Sequence, residues 1–376
     1  MSAPPQGSQI AILENYPLKP LTTFKVGGVA RYFAEIERPE DLPYALQFTR
    51  EEGLDLFVLG GGSNILVSDE GFPGMVLHPV NRGVCIFKET PDHTLVRAAA
   101  GELWDDLVAW TTARNFWGIE NLSHIPGQAG AALVQNVGAY GQQISDVLAS
   151  VEVLDMANGR ETTLTGSQCG FSYRASIFNK DRRERYLIWN LDLRLSNQPA
   201  PNLNYPDVEA HFERKDASSP SIQEIRQAII LIRDRKFPFP REEKGGNAGS
   251  FFKNLLLSEE DYQCLEDSVA RNFSPREVQR LQELKSRVAS VQKIKIPSAF
   301  LMEICGLRGC QIGQAKVNES QPLVLLNMGG ATARDVLALA GHARRKIYQK
   351  TGVEVGIEPE LVGFHETDVE EYLALA

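Results

Sequence analysis

Residues 54–64 read Leu-Asp-Leu-Phe-Val-Leu-Gly-Gly-Gly-Ser-Asn, an apolar run that ends in three consecutive glycines. The apolar run predicts a buried strand, and residues 40–52 before it space their apolar side chains as one face of a helix. Residues 30–36 are rich in β-prone residues and predict an earlier strand. The predicted order is therefore strand, helix, strand and glycine-rich turn.

The residues after these glycines argue against two common nucleotide-binding motifs, the Rossmann fingerprint and the P-loop. Residues 65–69 read Ile-Leu-Val-Ser-Asp and predict another strand, whereas a Rossmann fingerprint needs a helix that opens inside the glycines. No GKS or GKT follows a glycine loop, as a P-loop requires. Two interpretations of residues 60–64 stay open, a tight turn and a nest of backbone N–H groups for a pyrophosphate.

A second region of small residues covers 125–132 and 135–141, where Tyr140 is the one large side chain between Gly138 and Gly141. A flat ligand fits against such a surface, and a buried turn that lets elements pack closely explains it equally well. Two separate glycine-rich segments in one domain favour an extended cofactor.

Composition limits the class of protein. The chain has 376 residues, 43% hydrophobic and 23% charged, which is long enough for two or three globular domains. A net charge of −9 argues against a nucleic-acid binder. Five cysteines without CxxC spacing argue against a disulfide framework and a zinc site, and favour a reducing cytoplasm. No signal peptide or membrane-spanning run is recognisable, so membrane insertion is not expected.

Short predicted strands dominate residues 74–195, so the fold class is α+β. Residues 196–219 are rich in Pro, Asn, Asp and Ser, which predicts a linker or mobile loop. A capping box at Ser221 and Glu224 then starts a helix that runs to Lys236 and ends at the prolines of 237–240. Three more residues with an acid three positions later start further helices: Ser258, Ser274 and Thr332.

Residues 246–254 read Gly-Asn-Ala-Gly-Ser-Phe-Phe-Lys-Asn and present one hydroxyl, Ser250, on a flexible backbone. This is typical of a catalytic loop. The histidines are dispersed and share no motif with Ser250, and there is no GxSxG elbow. A Ser-His hydrolase is therefore not expected.

Two charged motifs are candidates for ligand binding. Residues 171–178 alternate apolar and polar positions, which predicts a strand or strand end that directs Arg174 to one face, suited to a carboxylate. A surface salt bridge is the other explanation. Glu358-Pro-Glu360 interrupts the apolar run 353–364, either as a functional acid or as solvated charge on an edge strand.

Taken together and in this order, these segments resemble the UDP-N-acetylenolpyruvoylglucosamine reductase (MurB) family, in the subclass with a tyrosine substrate-clamping loop. The residues that carry the resemblance are 23–28, 59–64, 100–102, 120–122, 125–127, 138–141, 173–174, 246–254, 311–313 and 358–360. Any one motif is weak, but the ordered set is specific and covers most of the chain.

The resemblance implies a vanillyl-alcohol-oxidase-like (PCMH-type) FAD-binding domain in two lobes, followed by a C-terminal α+β substrate-binding domain. The implied divisions are an N-terminal extension at 1–20, lobe 1 at 21–82, lobe 2 at 83–197, a linker with a substrate loop at 198–222, the substrate-binding domain at 223–358, and a C-terminal segment at 359–376 that returns toward lobe 1.

The resemblance also implies chemistry, namely NADPH reduction of FAD followed by reduction of an enolpyruvyl UDP-sugar in peptidoglycan precursor synthesis. Ser250 matches the donor of a proton to carbon, and Arg174 and Glu360 match the pair that stabilises the substrate carboxylate. Another FAD-dependent oxidoreductase and a non-catalytic flavin- or nucleotide-binding protein are the competing hypotheses. No protein partner is implied.

Two sets of binding residues follow from the same resemblance. The implied FAD-binding residues are Gly60, Gly61, Gly62, Ser63, Asn64, Ile125, Pro126, Ala131, Gln135, Gly138, Tyr140 and Ile188. The implied UDP-sugar-binding residues are Tyr173, Tyr205, Lys236, Asn254 and Gln321.

Overall fold

The computed structural model describes residues 10–179, 185–213, 219–237, 245–288 and 293–375. The chain divides into two compact units. Unit 1 comprises Met1–Tyr16, Ala30–Gly62 and Pro73–Arg235, and unit 2 comprises Pro17–Val29, Ser63–Phe72 and Lys236–Ala376.

The secondary structure mixes short strands with helices throughout. The strands are β1 Leu13–Pro17, β2 Val29–Ile36, β3 Leu56–Val58, β4 Ile65–Val67, β5 Phe72–Pro79, β6 Val84–Glu89, β7 His93–Ala99, β8 Gly138–Ala139, β9 Gln142–Gln143, β10 Leu148–Asp155, β11 Arg160–Thr165, β12 Tyr186–Ser196, β13 Leu255–Leu257, β14 Ile294–Ile296, β15 Gln311–Ile312, β16 Ala315–Val317, β17 Leu325–Asn327 and β18 Glu360–Val362. The α-helices are α1 Asp41–Glu51, α2 Trp104–Thr112, α3 Ala129–Val134, α4 Pro206–Glu213, α5 Ile222–Lys236, α6 Glu259–Asn272, α7 Pro275–Val288, α8 Ser298–Ile304, α9 Ala333–Thr351 and α10 Glu366–Leu373.

Unit 1 contains a four-stranded sheet in the order β1-β2-β5-β3 and a five-stranded sheet in the order β11-β10-β12-β7-β6. The central strand β12 serves two hydrophobic clusters, because successive side chains of a strand point to opposite faces. Tyr186 and Ile188 join the cluster that includes α2 and α3. Leu187 and Trp189 join the cluster that includes α1, β2 and β5. One strand therefore ties both parts of unit 1 together.

Unit 2 surrounds a single large cluster that contains Phe251, Phe252 and the inner face of α9. Its sheets are small: the antiparallel pair β13-β14, the three-stranded antiparallel sheet β15-β16-β17, and the parallel pair β18-β4, in which Glu360 lies opposite Ile65. The C-terminal strand thus pairs with a segment from the first fifth of the chain. Parallel pairing needs a long connection, and residues 68–359 supply it.

The helix starts predicted from capping residues are confirmed. Ser221 bonds Glu224 at 2.8 Å, and Ser258 and Thr332 each accept the amide of the acid three residues later. The long helix α9 ends at Gly352, which has a φ of +71°, the left-handed conformation that favours glycine. Except for Phe237, the proline-rich stretch 237–240 lies outside the described residues, as do residues 1–9 of the N-terminal extension.

Two predictions from the sequence were wrong. Residues 171–178 form no strand; Ser172 and Ala175 instead close a tight turn, in which the amide of Ser172 donates to the carbonyl of Ala175 at 2.9 Å. The expected linker contains α4, because Val208 and Phe212 pack against the apolar face of α5. The division between the units falls after Arg235, within α5.

Within the described residues, no helix is both long enough and apolar enough to cross a bilayer.

A glycine inside α9 provides a test of how the C-terminal helix is held. A Cβ on Gly341 would lie 1.8 Å from the carbonyl oxygen of Tyr372 in α10. We expect Gly341→Ala to push α10 off α9 and lower the free energy of unfolding by about 1–3 kcal/mol, measured by chemical denaturation. The control is Gly356→Ala, whose Cβ would meet only Lys253 Cδ at 3.8 Å. Equal stability of the two variants would contradict this packing.

Candidate active site

The two glycine-rich segments of unit 1 lie in direct contact. A Cβ on Gly61 would stand 2.5 Å from Cα of Gly127 and 2.7 Å from the amide nitrogen of Gln128. A Cβ on Gly60 would stand 2.7 Å from Cβ of Ala131. Real Cβ atoms do not approach so closely, so glycine is required both at Gly61, which lies against the backbone of the second segment, and at Gly60, which lies against the Ala131 side chain.

The same loop presents backbone donors. Both Gly60 and Gly61 are partly accessible, and no hydrogen bond joins either amide to another group in the part of the chain that the structure describes. Gly62 follows with a φ of +58°. Neighbouring amides in a turn that includes a left-handed residue form a concave site for an anion. The arrangement fits a pyrophosphate and favours the cradle interpretation over a simple turn.

A buried histidine holds the start of this loop. Nδ1 of His78 donates to the carbonyl oxygen of Leu59, directly before the glycines, at 2.7 Å, so the proton lies on Nδ1. Burial lowers the pKa of His78, and the hydrogen bond to Leu59 opposes that shift. Sequence patterns did not single out His78, because a lone histidine in a strand carries no distinctive signal.

The second segment ends in a turn around Tyr140, which is buried and has a φ of +48°. The side-chain amide of Asn121 donates to the carbonyl oxygen of Tyr140 at 2.7 Å. The ring of Tyr205 meets the Tyr140 ring edge-on, with centroids 5.1 Å apart. Unit 1 therefore brings Tyr205 to the glycine-rich segment that is predicted to bind the cofactor.

Arg174 occupies the left-handed position of its turn, with a φ of +54°. Its Nη1 donates to the carbonyl oxygen of Gly138 at 3.0 Å, and its guanidinium lies 5.7 Å from the ring centroid of Tyr173. A non-glycine residue with positive φ is uncommon and often marks a functional site. The structure thus places Arg174 and Tyr173 beside the second glycine segment.

In unit 2, the loop that carries Ser250 is held on both sides. Gly249 has a φ of +69°, and its amide donates to Oδ1 of Asn247 at 2.9 Å. The amide of Phe251 donates to the carbonyl oxygen of Leu323 at 2.6 Å, and the Phe251 side chain is fully buried. Ser250 itself is only partly buried, so the loop that these contacts hold leaves this residue partly accessible.

A chain of hydrogen bonds joins this loop to Glu360. The amide of Glu358 donates to the carbonyl oxygen of Phe251 at 2.8 Å. Asn64 links the next two groups, because its Nδ2 donates to the carbonyl oxygen of Glu358 at 3.3 Å and its own carbonyl oxygen accepts from the amide of Glu360 at 3.0 Å. Ser250, Asn64 and Glu360 therefore share one framework, although they are far apart in sequence.

The remaining candidates in unit 2 have structural contacts of their own. Asn254 accepts the amide of Ser298 on Oδ1 at 3.1 Å, at the start of α8. The carbonyl oxygen of Gln321 accepts from the amide of Val324 at 3.0 Å, next to the Ser250 loop, with which Val324 forms a β-bridge. The carbonyl oxygen of Lys236 accepts from Asn318 Nδ2 at 3.0 Å.

Other candidates in unit 1 are less distinctive. Ile125 and Gln135 are partly buried, and Ile188 is buried in β12.

All five cysteines are free thiols. Among the described residues, no three His, Cys, Asp or Glu side chains are grouped as metal ligands.

Comparison with known proteins defines the class. Residues 30–165 match the model of an FAD binding domain, and residues 240–362 match the C-terminal domain of UDP-N-acetylenolpyruvoylglucosamine reductase. These two matches define the chain as an FAD-dependent oxidoreductase.

Relatives identify the family within that class. The UDP-N-acetylenolpyruvoylglucosamine reductase of Flavobacterium johnsoniae is 33% identical over 93% of this chain and 99% of its own length. That of Xylella fastidiosa is 38% identical over 93% of this chain and 95% of its own. The chain belongs to the UDP-N-acetylenolpyruvoylglucosamine reductase family.

A solved structure supports the fold. The crystal structure of UDP-N-acetylenolpyruvylglucosamine reductase (MurB) from Thermus caldophilus has a TM-score of 0.62 and 22% identity, and the match covers 94% of this chain and 99% of that one. The predicted α+β fold with an FAD-binding domain is confirmed, and FAD and NADPH are the cofactors of the family. The open amides of Gly60 and Gly61 fit the diphosphate of FAD.

Contact between the glycine segments is testable through flavin retention. We expect Gly61→Ala to force the loop away from Gly127 and reduce FAD affinity on the order of tenfold or more, because the amide nest loses its shape. Flavin absorbance per protein and fluorescence titration of FAD measure this. Gly330→Ala is the control, since its Cβ would meet only Gln314 Cγ at 3.7 Å. Undiminished flavin content in Gly61→Ala would show that the contact is dispensable.

His78 predicts a pH dependence of stability. Because burial lowers its folded-state pKa below the ordinary 6.5, the unfolded chain takes up a proton that the folded chain resists. Its stabilising contribution is present above pH 6.5 and is lost as pH falls below it, by at most about 1.4 kcal/mol per pH unit. Denaturation at pH 7.5 and 5.5 should show a shallower loss for His78→Asn than for the wild type. The exposed His93, changed to Asn, should leave the slope unchanged, and equal slopes in all three proteins would refute the prediction.

Proposed function

We propose that this protein reduces UDP-N-acetyl-3-O-(1-carboxyvinyl)-glucosamine to UDP-N-acetylmuramate, a precursor of peptidoglycan, with NADPH as the electron source. Membership of the reductase family supports the proposal. The observation that carries it is the hydrogen-bonded framework that holds Ser250 and Glu360 together in unit 2. A hydroxyl and a carboxyl group on one rigid frame suit proton transfer and charge stabilisation.

When bound, FAD would supply the hydride for the β-carbon of the enol ether. The protein then has to manage the negative charge and the proton at the α-carbon. We assign the proton donation to the Ser250 hydroxyl. An alcohol is a weak acid, so it serves only where the acceptor is a developing carbanion and the geometry is fixed in advance. The held loop from Asn247 to Phe251 supplies that fixed geometry.

Arg174 is assigned to the substrate carboxylate. A guanidinium offers parallel N–H donors that match a carboxylate in a bidentate pair. Its bond to Gly138 and its left-handed backbone position orient the side chain beside the second glycine segment. A cation fixed before the reaction stabilises an enolate-like charge without a reorganisation cost.

Glu360 is assigned to stabilisation of the same developing charge, as a protonated or hydrogen-bonded acid. Its amide is fixed by Asn64 and its strand pairs with β4, so the side chain projects from a defined point. An acid in this role acts as a donor only in its protonated form.

Nucleotide-sugar recognition is assigned to five polar or aromatic side chains, and we assign the protein to the tyrosine-loop subclass on the basis of Tyr205. These residues are Tyr173, Tyr205, Lys236, Asn254 and Gln321. The proposed FAD-binding residues remain Gly60, Gly61, Gly62, Ser63, Asn64, Ile125, Pro126, Ala131, Gln135, Gly138, Tyr140 and Ile188. Cationic, amide and aromatic groups suit a diphosphate, a uracil and a sugar face.

Separate half-reactions test the role of Ser250. We expect Ser250→Ala to keep FAD and to be reduced by NADPH at the normal rate, because neither step needs the hydroxyl. Flavin reoxidation by the enolpyruvyl UDP-sugar should fall by at least about 100-fold, the usual contribution of a general acid. Anaerobic stopped-flow absorbance measures both steps. Ser258→Ala, which removes a helix-capping hydroxyl from unit 2, serves as the control and should retain both; normal product formation by Ser250→Ala would end the assignment.

A further inference from the structure

The turn that carries Arg174 and the second glycine-rich segment are joined by side chains from both. From the turn, Nη1 of Arg174 donates to the carbonyl oxygen of Gly138 at 3.0 Å. From the segment, Nδ2 of Asn136 donates to the carbonyl oxygen of Ser172 at 3.3 Å. Arg174 and Asn136 both have a positive φ, +54° and +46°. Such conformations cost free energy in non-glycine residues and persist where surrounding contacts hold them.

Ser176 provides the shortest contact between the same two parts of the chain. It is fully buried, and its hydroxyl donates to the carbonyl oxygen of Val134, the last residue of α3, at 2.7 Å. The same hydroxyl accepts from the amide of Phe178 at 3.1 Å. The amide of Ser176 donates to Oδ1 of Asn179 at 2.9 Å, and Nδ2 of Asn179 donates to the carbonyl oxygen of Arg174 at 3.3 Å. Ser176 therefore links the end of α3 to the main chain of Arg174.

Packing alone does not account for a serine at this place. The next two residues, Ile177 and Phe178, pack on the apolar cluster around α2 and α3, where a hydroxyl costs free energy unless it is hydrogen-bonded. The hydroxyl of Ser176 does satisfy a carbonyl group at the end of α3, which has no partner within the helix. That cap leaves the second link unexplained, from the Ser176 amide through Asn179 to the carbonyl group of Arg174.

We propose that Ser176 is a positioning residue for carboxylate recognition, which fixes the turn of Arg174 against the second glycine-rich segment. The proposal rests on the proposed function, in which Arg174 binds the carboxylate of the UDP-sugar. The Ser176 hydroxyl is buried and bonded within the protein, so it acts through Arg174. When its bond to Val134 is lost, the turn gains freedom and the guanidinium has to be ordered during the reaction, which weakens stabilisation of the developing charge.

The test compares the two half-reactions. We expect Ser176→Ala to retain FAD and to be reduced by NADPH at the normal rate, because neither step needs the substrate carboxylate. Flavin reoxidation by saturating UDP-N-acetyl-3-O-(1-carboxyvinyl)-glucosamine should slow on the order of tenfold, the equivalent of about one lost hydrogen bond. Anaerobic stopped-flow absorbance measures both rates. A purely structural serine would leave the ratio of the two rates unchanged.

A matched control removes a buried hydroxyl elsewhere in unit 1. Thr111 is fully buried, and its hydroxyl donates within α2 to the carbonyl oxygen of Val108 at 2.9 Å. Thr111→Val should leave both half-reactions normal. Should Ser176→Ala fail to fold, as judged by thermal unfolding, Asn179→Ala decides the matter, because Asn179 is partly exposed and its loss breaks the link to Arg174 alone. It should slow reoxidation and spare reduction by NADPH.

A double variant tests whether Ser176 acts through Arg174. Arg174→Ala removes the guanidinium that the turn presents, so nothing remains for Ser176 to position. If the role is correct, Ser176→Ala added to Arg174→Ala should slow reoxidation no further than Arg174→Ala alone. The same stopped-flow measurement, extended to longer times, gives the slower rates.

Four results would overturn the role of Ser176. These are normal reoxidation by the folded variant, an equal loss in reduction by NADPH, additive losses in the double variant, and an equal loss in Thr111→Val. Failure of the wild type to be reoxidised by this UDP-sugar is a different result. It would overturn the proposed function, and the role of Ser176 with it.

Discussion

The close contact of two backbones, at Gly60 and Gly61 on one side and residues 127–131 on the other, is the constraint on which unit 1 depends. Neither Gly60 nor Gly61 leaves room for a side chain, because the backbone of Gly127 and the Cβ of Ala131 lie against them. Since the first segment leaves β3 and the second leads into α3, their meeting fixes how the two parts of unit 1 close on each other. Among the described residues no group accepts a hydrogen bond from the amides of Gly60 and Gly61, and this suits an anionic diphosphate.

In unit 2, hydrogen bonds of the main chain and of one asparagine side chain hold distant segments together. Asn64 is the central residue, because it accepts from the amide of Glu360 and donates to the carbonyl oxygen of Glu358, which in turn is bonded to the Ser250 loop. The side chains of Phe251 and Phe252 are buried in the core of unit 2 and fix this end of the loop. Preorganisation of this kind is what a weakly acidic hydroxyl needs if it is to protonate carbon.

Local signals in the sequence were reliable where the structure is local. Capping residues such as Ser258 and Thr332 marked the starts of helices, because the cap satisfies amides within one turn. Polar composition was a poor guide to the segment that became α4, since packing of Val208 and Phe212 against α5 outweighed it. Alternation over 171–178 predicted a strand, but Ser172 and Ala175 close a turn there, and Arg174 lies within it.

The sequence by itself determined the fold class, the family, FAD and NADPH, and the candidates Ser250, Arg174 and Glu360, because ordered motifs record which backbone positions must be small and which carry charge. Only the tertiary structure decided that Asn64 joins the Ser250 loop to Glu360 and that His78 holds the carbonyl group before the glycines. These contacts bridge 19 to 294 residues. No local pattern encodes them, since each depends on how distant segments pack.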